Sequence, residues 1–468
     1  MGKNKDLSIN VVLFAISSFG TKFLAFFLVP FYTNYLSTSE YGTIDLIVNT
    51  ATLFLPVFTL NIYESVMRFT IVDKNNSEYF IIGCRISAIG VILLAGILGV
   101  VHFASPSFIS ISSLLWIWAI CACNAAYNTL ANYMRATDKV PYMVQASLIN
   151  SALMLTMNIL FIAVLKMGVT GYFISMITGL VAASEYMFFR GVTIKTTKRI
   201  NDKPESKVIR EMLKYSIPLI FTAIAWWINS SLDRYFVTEF CGTDANGVYS
   251  IAYKIPNLLT SIQMIFLQAW AISAVTEFNK NDTDGFMGHT YELFAMIMLL
   301  ACMGIMLLNV PFSKILYAKD FFAAWQYVPF LLISAFFGAM AGYFGGIFSA
   351  VKNSKICALS TIVSAIVNIL LNAILIPVYG VSGAAVATLV AYFVSWLIRA
   401  IVVRKYVRLK VNNIRMFISI CLLAVQLLCA TSENLYYPVQ VATILLVLTI
   451  YRKLIKEAVE MIGKKLLK

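Results

Sequence analysis

Three basic residues, Lys22, Arg234 and Lys254, fall inside segments that are otherwise apolar enough to cross a membrane. Lys22 sits in Ser18-Phe-Gly-Thr-Lys-Phe-Leu-Ala-Phe-Phe-Leu-Val-Pro30-Phe-Tyr, within the first hydrophobic run. An ammonium at the bilayer centre costs about 2.5–3.5 kcal/mol on insertion scales, so it calls for a partner. Snorkelling to an interface would relieve that cost, but the loop-side charges stand about 15 residues away, roughly 22 Å at helical rise. Arg234 and Lys254 lie in two later segments, while no Asp or Glu occurs between Asp320 and Glu433. Buried positive charge in excess of carboxylates suits an anionic ligand, phosphate being the chemical class that Lys and Arg bind best.

Polar residues on the same segments extend this set. In the second span Asp45, Asn49, Thr52, Pro56, Thr59 and Tyr63 are spaced 4, 3, 4, 3 and 4, which places them on one helix face, with Pro56 expected to kink it. Such a stripe faces water or another helix, and helix–helix hydrogen bonding is the plainer use of it. Asn257, Ser261 and Gln268 follow Lys254 at intervals of 3, 4 and 7; Trp226, Ser230 and Arg234 stack at i, i+4 and i+8. The indoles of Trp226 and Trp227 lie too deep for an interfacial belt, so at least one is expected to face inward, to pack or to stack on a sugar ring. The substrate-binding set expected is therefore Lys22, Arg234, Lys254, Asn49, Asn257 and Trp226. Carboxylates that could couple transport to protons are Glu64, Asp233 and Glu185, with Glu185 expected to be buried. Glu64 and Arg68 have i, i+4 spacing suited to an ion pair, whereas Asp233 and Arg234, about 100° apart on a helix, pair poorly.

The elements that must hold these residues are membrane helices. Of 468 residues 60% are apolar and 12% charged, with a mean hydropathy of +0.82, outside the soluble range. Runs long enough to span a roughly 30 Å hydrocarbon layer occur at 7–33, 43–70, 80–103, 108–133, 142–165, 169–190, 213–240, 246–278, 289–312, 322–350, 355–378, 381–403, 414–432 and 436–452. That reading is an all-α polytopic membrane protein of about 14 transmembrane helices. Lys166, Lys314 and Lys319 fall on one side; setting these and the three intramembrane cations aside, the other 30 of 36 Lys and Arg fall in the alternate connectors. By the positive-inside rule both termini are cytoplasmic, which also accounts for the net charge of +14 without a nucleic-acid partner. The eight cysteines lie mostly in apolar runs without paired spacing, and nothing calls for a metal or a cofactor.

The polar stretch 193–212 divides an N-terminal bundle, 1–192, from a second bundle, 213–405, leaving 406–468 for two further spans and an amphipathic tail. The halves resemble each other weakly: Glu40-Tyr-Gly42 matches Asn246-Gly247, and Gly168-Val-Thr-Gly171 matches Gly380-Val-Ser-Gly383 at an offset of 212. Matching offsets and equal orientation point to a parallel repeat of six spans.

On Gly20-Thr-Lys22 through Pro30, Tyr41-Gly42, Leu232-Asp-Arg-Tyr-Phe236, Gly247-Val-Tyr-Ser-Ile-Ala-Tyr-Lys254-Ile, Trp270 and Gly380–Ala385, the chain resembles the polysaccharide-transport branch of the multidrug/oligosaccharidyl-lipid/polysaccharide flippase superfamily, the Wzx-type O-antigen repeat-unit flippases. The resemblance implies two six-helix bundles in a V around a cavity lined by spans one, two, seven and eight, plus two C-terminal helices. It implies alternating access that carries a polyprenyl-diphosphate-linked oligosaccharide to the outer leaflet of the bacterial inner membrane for O-antigen or capsule synthesis, with Lys22, Arg234 and Lys254 on the diphosphate. Membrane lipid and a polysaccharide polymerase complex are the further partners it implies. A cation-coupled multidrug exporter of the same superfamily is the alternative, but buried carboxylates would suit cationic drugs and the intramembrane charge here has the opposite sign. A membrane glycosyl polymerase would need acid/base or metal-binding groups on an outer loop; the outer loops are short, and the reading is not an enzyme.

Overall fold

The computed structural model describes residues 26–74, 77–104, 110–192, 206–353, 355–430, 436–457 and 460, and among them every regular element is helical. Lys22 lies outside the described residues. The chain forms two units, Met1–Ser231 and Leu232–Lys468, whose boundary falls within one long helix.

The first unit holds α1 (26–35), α2 (Thr38–Phe58), α3 (Ile62–Val72), α4 (Glu78–Ala104), α5 (Ile111–Ala136), α6 (Val140–Asn158), which runs on as a π-helix over Ile159–Val164, α7 (Gly168–Gly191) and the first part of α8 (Ser206–Cys241). A capping box starts α2: the Ser37 hydroxyl accepts from the Glu40 N–H, and the Glu40 carboxylate accepts from the Ser37 N–H at 2.8 Å. Pro56 does not end α2. The helix runs through it to Phe58 and stops at Leu60 and Asn61, both left-handed with φ of 51° and 52°. Helix α4 passes tightly there, because a Cβ on Gly90 would stand 2.0 Å from the Phe58 carbonyl oxygen. Beyond the break, Ile62 and Val66 enter a core with Phe80, Tyr133, Met134, Met143, Met187 and Met212.

The second unit continues with α9 (Thr243–Ala252), α10 (Pro256–Thr276), α11 (Phe286–Leu307), α12 (Asn309–Leu316), a 3-10 turn at Lys319–Gln326, α13 (Val328–Ala350), α14 (Lys355–Tyr379), α15 (Val381–Val403), α16 (Asn413–Leu428) and α17 (Tyr436–Ile450). Helix α13 is its centre, packed by α10, α11 and α15. Trp270 stacks on Tyr343 with ring centroids 4.2 Å apart and donates to the Tyr343 carbonyl, while Phe266 stacks on Phe294. Buried polar groups join α17 to its neighbours: the Gln440 amide donates to the Gln426 carbonyl of α16 at 3.1 Å, and the Tyr436 hydroxyl donates to the Met306 carbonyl of α11. Polar links of this kind hold helices together where lipid removes the hydrophobic drive.

Ten of these helices are long and apolar enough to cross a membrane, and α16 and α17 are shorter apolar helices. Together with α8 and the first span, most of which lies outside the described residues, they account for the fourteen expected segments. The matched turns also share their geometry. Gly168 and Gly380 open α7 and α15 with φ of +53° and +57°, and a Cβ on Gly171 or Gly383 would meet the preceding helix's backbone at 3.1 Å and 2.5 Å. Both halves thus use one glycine for the turn and a second, three residues on, for close helix packing.

Candidate functional site

In the second unit the site is built where α9 gives way to α10. The backbone is interrupted at Tyr253–Ile255, and Pro256, which has no N–H to donate, opens α10. Asp233, on α8 and 1% exposed, fixes this interruption. Its carboxylate accepts from the Tyr249 hydroxyl at 2.7 Å, the Tyr253 hydroxyl at 2.8 Å and the Thr388 hydroxyl of α15 at 3.2 Å. One buried carboxylate therefore ties α8, the end of α9 and α15 together. Hydrogen bonds to a charged group contribute about 1.5–3 kcal/mol each, so the knot is a strong constraint.

Arg234 is buried beside it. Its guanidinium lies over the Tyr253 ring at 4.5 Å and reaches Asp233 at 3.5 Å, the long contact expected of neighbours on a helix. Lys254 occupies the interruption itself, half-buried, with its backbone N–H on the Ile251 carbonyl. Asn257, the second residue of α10, is exposed, and its carbonyl takes the Ser261 hydroxyl at 2.7 Å. Arg234, Lys254 and Asp233 are thus brought to one short stretch, two cations against one carboxylate.

In the first unit Asn49 is half-buried and donates to the Asp45 carbonyl at 2.8 Å, while its own carbonyl accepts the Trp227 indole N–H at 2.8 Å. Trp227 is the indole that packs within the unit, and Trp226 is 60% exposed. Much of the polar stripe on α2 is satisfied on its own helix, as Thr52 donates to Val48 and Thr59 to Leu55. Glu64 is half-buried in the first turn of α3, and among the described residues no ion pair joins it to Arg68. Glu185 corrects the expectation of a buried carboxylate: it is exposed, because α7 buries the strip of Gly179, Leu180, Ala183 and Met187 instead.

Sequence reasoning gave Tyr249, Tyr253 and Thr388 no part in the site. The two tyrosines at i, i+4 immediately before an intramembrane lysine were the available signal; Thr388, 155 residues from Asp233, left none. Arg399, within α15, donates to the Ser360 hydroxyl, the Thr361 hydroxyl and the Ala341 carbonyl, the last at 2.9 Å. These neutral acceptors make it a clamp among α13, α14 and α15. Ser360, Ser364, Asn368 and Asn372, spaced four apart, form the buried face of α14, with Ser364 donating to the Ala391 carbonyl.

Comparison with known proteins gives a consistent picture. A family described as polysaccharide biosynthesis protein matches residues 7–272, and the MatE family matches 218–374. The probable low-salt glycan biosynthesis flippase Agl15 of Haloferax volcanii is 24% identical over 215 residues, 44% of this chain and 45% of its own, so the match spans under half of that relative. The structure of the lipid II flippase MurJ in an inward closed conformation superposes with a TM-score of 0.66 at 16% identity, over 95% of this chain and 100% of that one. An inward-facing multidrug resistance MATE family transporter of the MOP superfamily gives 0.67 at 14% identity, over 85% and 97%. At these identities the structural likeness establishes the fold.

Proposed function

The chain belongs to the polysaccharide biosynthesis protein family, and from that premise we propose that it is a flippase that carries a polyprenyl-diphosphate-linked oligosaccharide from the cytoplasmic to the outer leaflet by alternating access. The observation that carries this reading is Lys254, seated in the interrupted backbone between α9 and α10 beside the Asp233 knot. Interrupted membrane helices expose backbone and side-chain polar groups where a substrate can use them. Lys254 and Lys22 contact the diphosphate, and Arg234, held by Asp233 and Tyr253, adds to the positive field. Asn49, Asn257 and Trp226 serve the glycan. Asp233 acts as a positioning residue for the interruption, while Glu64 and Glu185 remain the carboxylates open to coupling. The protein acts as a transporter and not as an enzyme, in a bacterial cytoplasmic membrane with both termini inside, ahead of a polysaccharide polymerase.

The flippase named among the relatives supports a lipid-linked glycan as substrate. The MatE match over 218–374 favours a second reading, a cation-coupled multidrug exporter; two cations against one carboxylate at the interruption speak against cationic drugs. The deciding experiment extracts lipid-linked oligosaccharide from cells lacking the protein and complemented with wild type, Lys254→Ala or Lys22→Ala. Accumulation of a complete repeat unit at the cytoplasmic face, relieved by wild type alone, is expected. Unchanged lipid-linked pools together with altered sensitivity to cationic drugs would establish the exporter instead.

A further inference from the structure

A second polar feature lies elsewhere in the Leu232–Lys468 unit, in a cavity of about 530 Å³ among α11, α15, α16 and the connector 404–412. Its polar end is lined by Arg404, Arg408 and Arg415 against one carboxylate, Glu292. Glu292 is already engaged: it accepts the Asn412 N–H at 2.6 Å and the Arg415 guanidinium at 2.9 Å. Among the described residues the side chains of Arg404 and Arg408 have neither an ion pair nor a hydrogen bond, and no other acid occurs between Asp320 and Glu433 to supply one. Arg415 stands in the first turn of α16, where the helix dipole also favours an anion. The connector that carries these arginines is pinned in place, since buried Asp282 accepts the Lys410 N–H at 3.1 Å and the Lys280 carbonyl accepts the Arg408 N–H. The other end of the cavity is apolar, walled by Leu397, Ala400 and Ile401 of α15 and by Phe417 of α16, with Leu397, Ile401 and Phe417 exposed toward the outside of the unit. Helix α16 packs chiefly on α17, which leaves the side toward α15 open.

We propose that this cavity binds an anionic membrane phospholipid, its phosphate between Arg404, Arg408 and Arg415 and an acyl chain along Leu397, Ile401 and Phe417. A basic rim over an apolar slot matches a phosphodiester headgroup that is anchored by hydrocarbon. Free phosphate would leave the slot empty. A zwitterionic headgroup would leave the excess of two arginines uncompensated. The site is separate from the α9–α10 interruption and does not rest on the flippase reading.

The test uses the full-length protein in detergent, with lipid retention counted by native mass spectrometry. Phosphatidylglycerol and phosphatidylcholine of identical acyl chains are titrated onto wild type, Arg404→Gln/Arg408→Gln, Ala400→Phe and Lys352→Gln/Lys405→Gln, the last removing equal charge from outside the cavity. Wild type should prefer phosphatidylglycerol roughly tenfold, and Arg404→Gln/Arg408→Gln should reduce that preference to about twofold. Ala400→Phe should displace the lipid with the charges intact, so the proposal stays testable if the arginine variant fails to fold. Three results would overturn it: an unchanged preference in Arg404→Gln/Arg408→Gln, an equal loss in Lys352→Gln/Lys405→Gln, or full displacement of phosphatidylglycerol by equimolar inorganic phosphate. Displacement by undecaprenyl phosphate at lower concentration would also overturn it, by making the cavity a seat for the carrier lipid.

Discussion

At the level of single residues, Asp233 and Lys254 do different work and should fail differently. Asp233 is an acceptor for three hydroxyl donors and stands next to a buried arginine. Asp233→Asn removes the charge that offsets Arg234 and turns part of the acceptor into a donor facing the tyrosines; breaking a buried pair on one side costs about 3–5 kcal/mol. A marked drop in the melting temperature of the purified protein is expected, with Tyr249→Phe causing a smaller one, about 1.5–3 kcal/mol. If Asp233→Asn melts like wild type, the carboxylate does not hold the interruption in place. Lys254→Ala should abolish relief of lipid-linked oligosaccharide accumulation, and Lys254→Arg should restore part of it. A Lys254→Ala variant that complements fully would remove this lysine from the substrate path.

At the level of elements, the breaks in the second and eighth spans depend on what packs against them. The α2–α3 break needs Gly90 of α4, because any Cβ there would press on the Phe58 carbonyl from 2.0 Å, whereas a Cβ on Gly96 of the same helix meets nothing within 4 Å. Gly90→Ala should therefore destabilise the protein by about 1–3 kcal/mol through overpacking, while Gly96→Ala should be neutral or gain up to about 1 kcal/mol from helix propensity. Melting curves of the two variants compare the same chemical change at two points of one helix, and equal effects would dissociate Gly90 from the break. This is also where sequence and structure part company. Span positions, the glycine turns at 168–171 and 380–383 and the buried face of α14 were legible, because hydropathy and spacing encode them locally. A kink is expected at Pro56, because a proline is a visible signal, whereas the break after Phe58 lies at two consecutive left-handed residues, Leu60 and Asn61, which carry no such signal. Thr388, the third partner of Asp233, and the partners of Arg399 come from helices distant in sequence, so no spacing rule reaches them. Glu185 was misjudged because hydropathy places a residue in a span without saying which face is covered.

At the level of the whole molecule, the distribution of charge gives a testable expectation for orientation. With Arg399 placed within α15, twenty-nine of the 36 basic residues stand in the connectors that the sequence assigns to one side, against Lys166, Lys314 and Lys319 on the other. The cost of moving Lys and Arg across the bilayer during insertion makes that asymmetry directional. In a background lacking the native cysteines, of which Cys84 and Cys421 are exposed, Lys314→Cys should react with a membrane-impermeant maleimide in intact cells. Lys405→Cys should react only after permeabilisation. The reverse pattern would put Lys254 and its interruption in an inverted protein and reverse the direction in which a glycan could be delivered. The expected pattern is the one the proposed function requires, with the basic face at the cytoplasmic leaflet and the intramembrane cations open to an anionic headgroup moving away from it. Because opposite charges attract along that path, a substrate carrying a diphosphate compensates the desolvation of Lys254, whereas a cationic drug would add to it. The labelling experiment therefore tests the orientation that the proposed direction of transport requires.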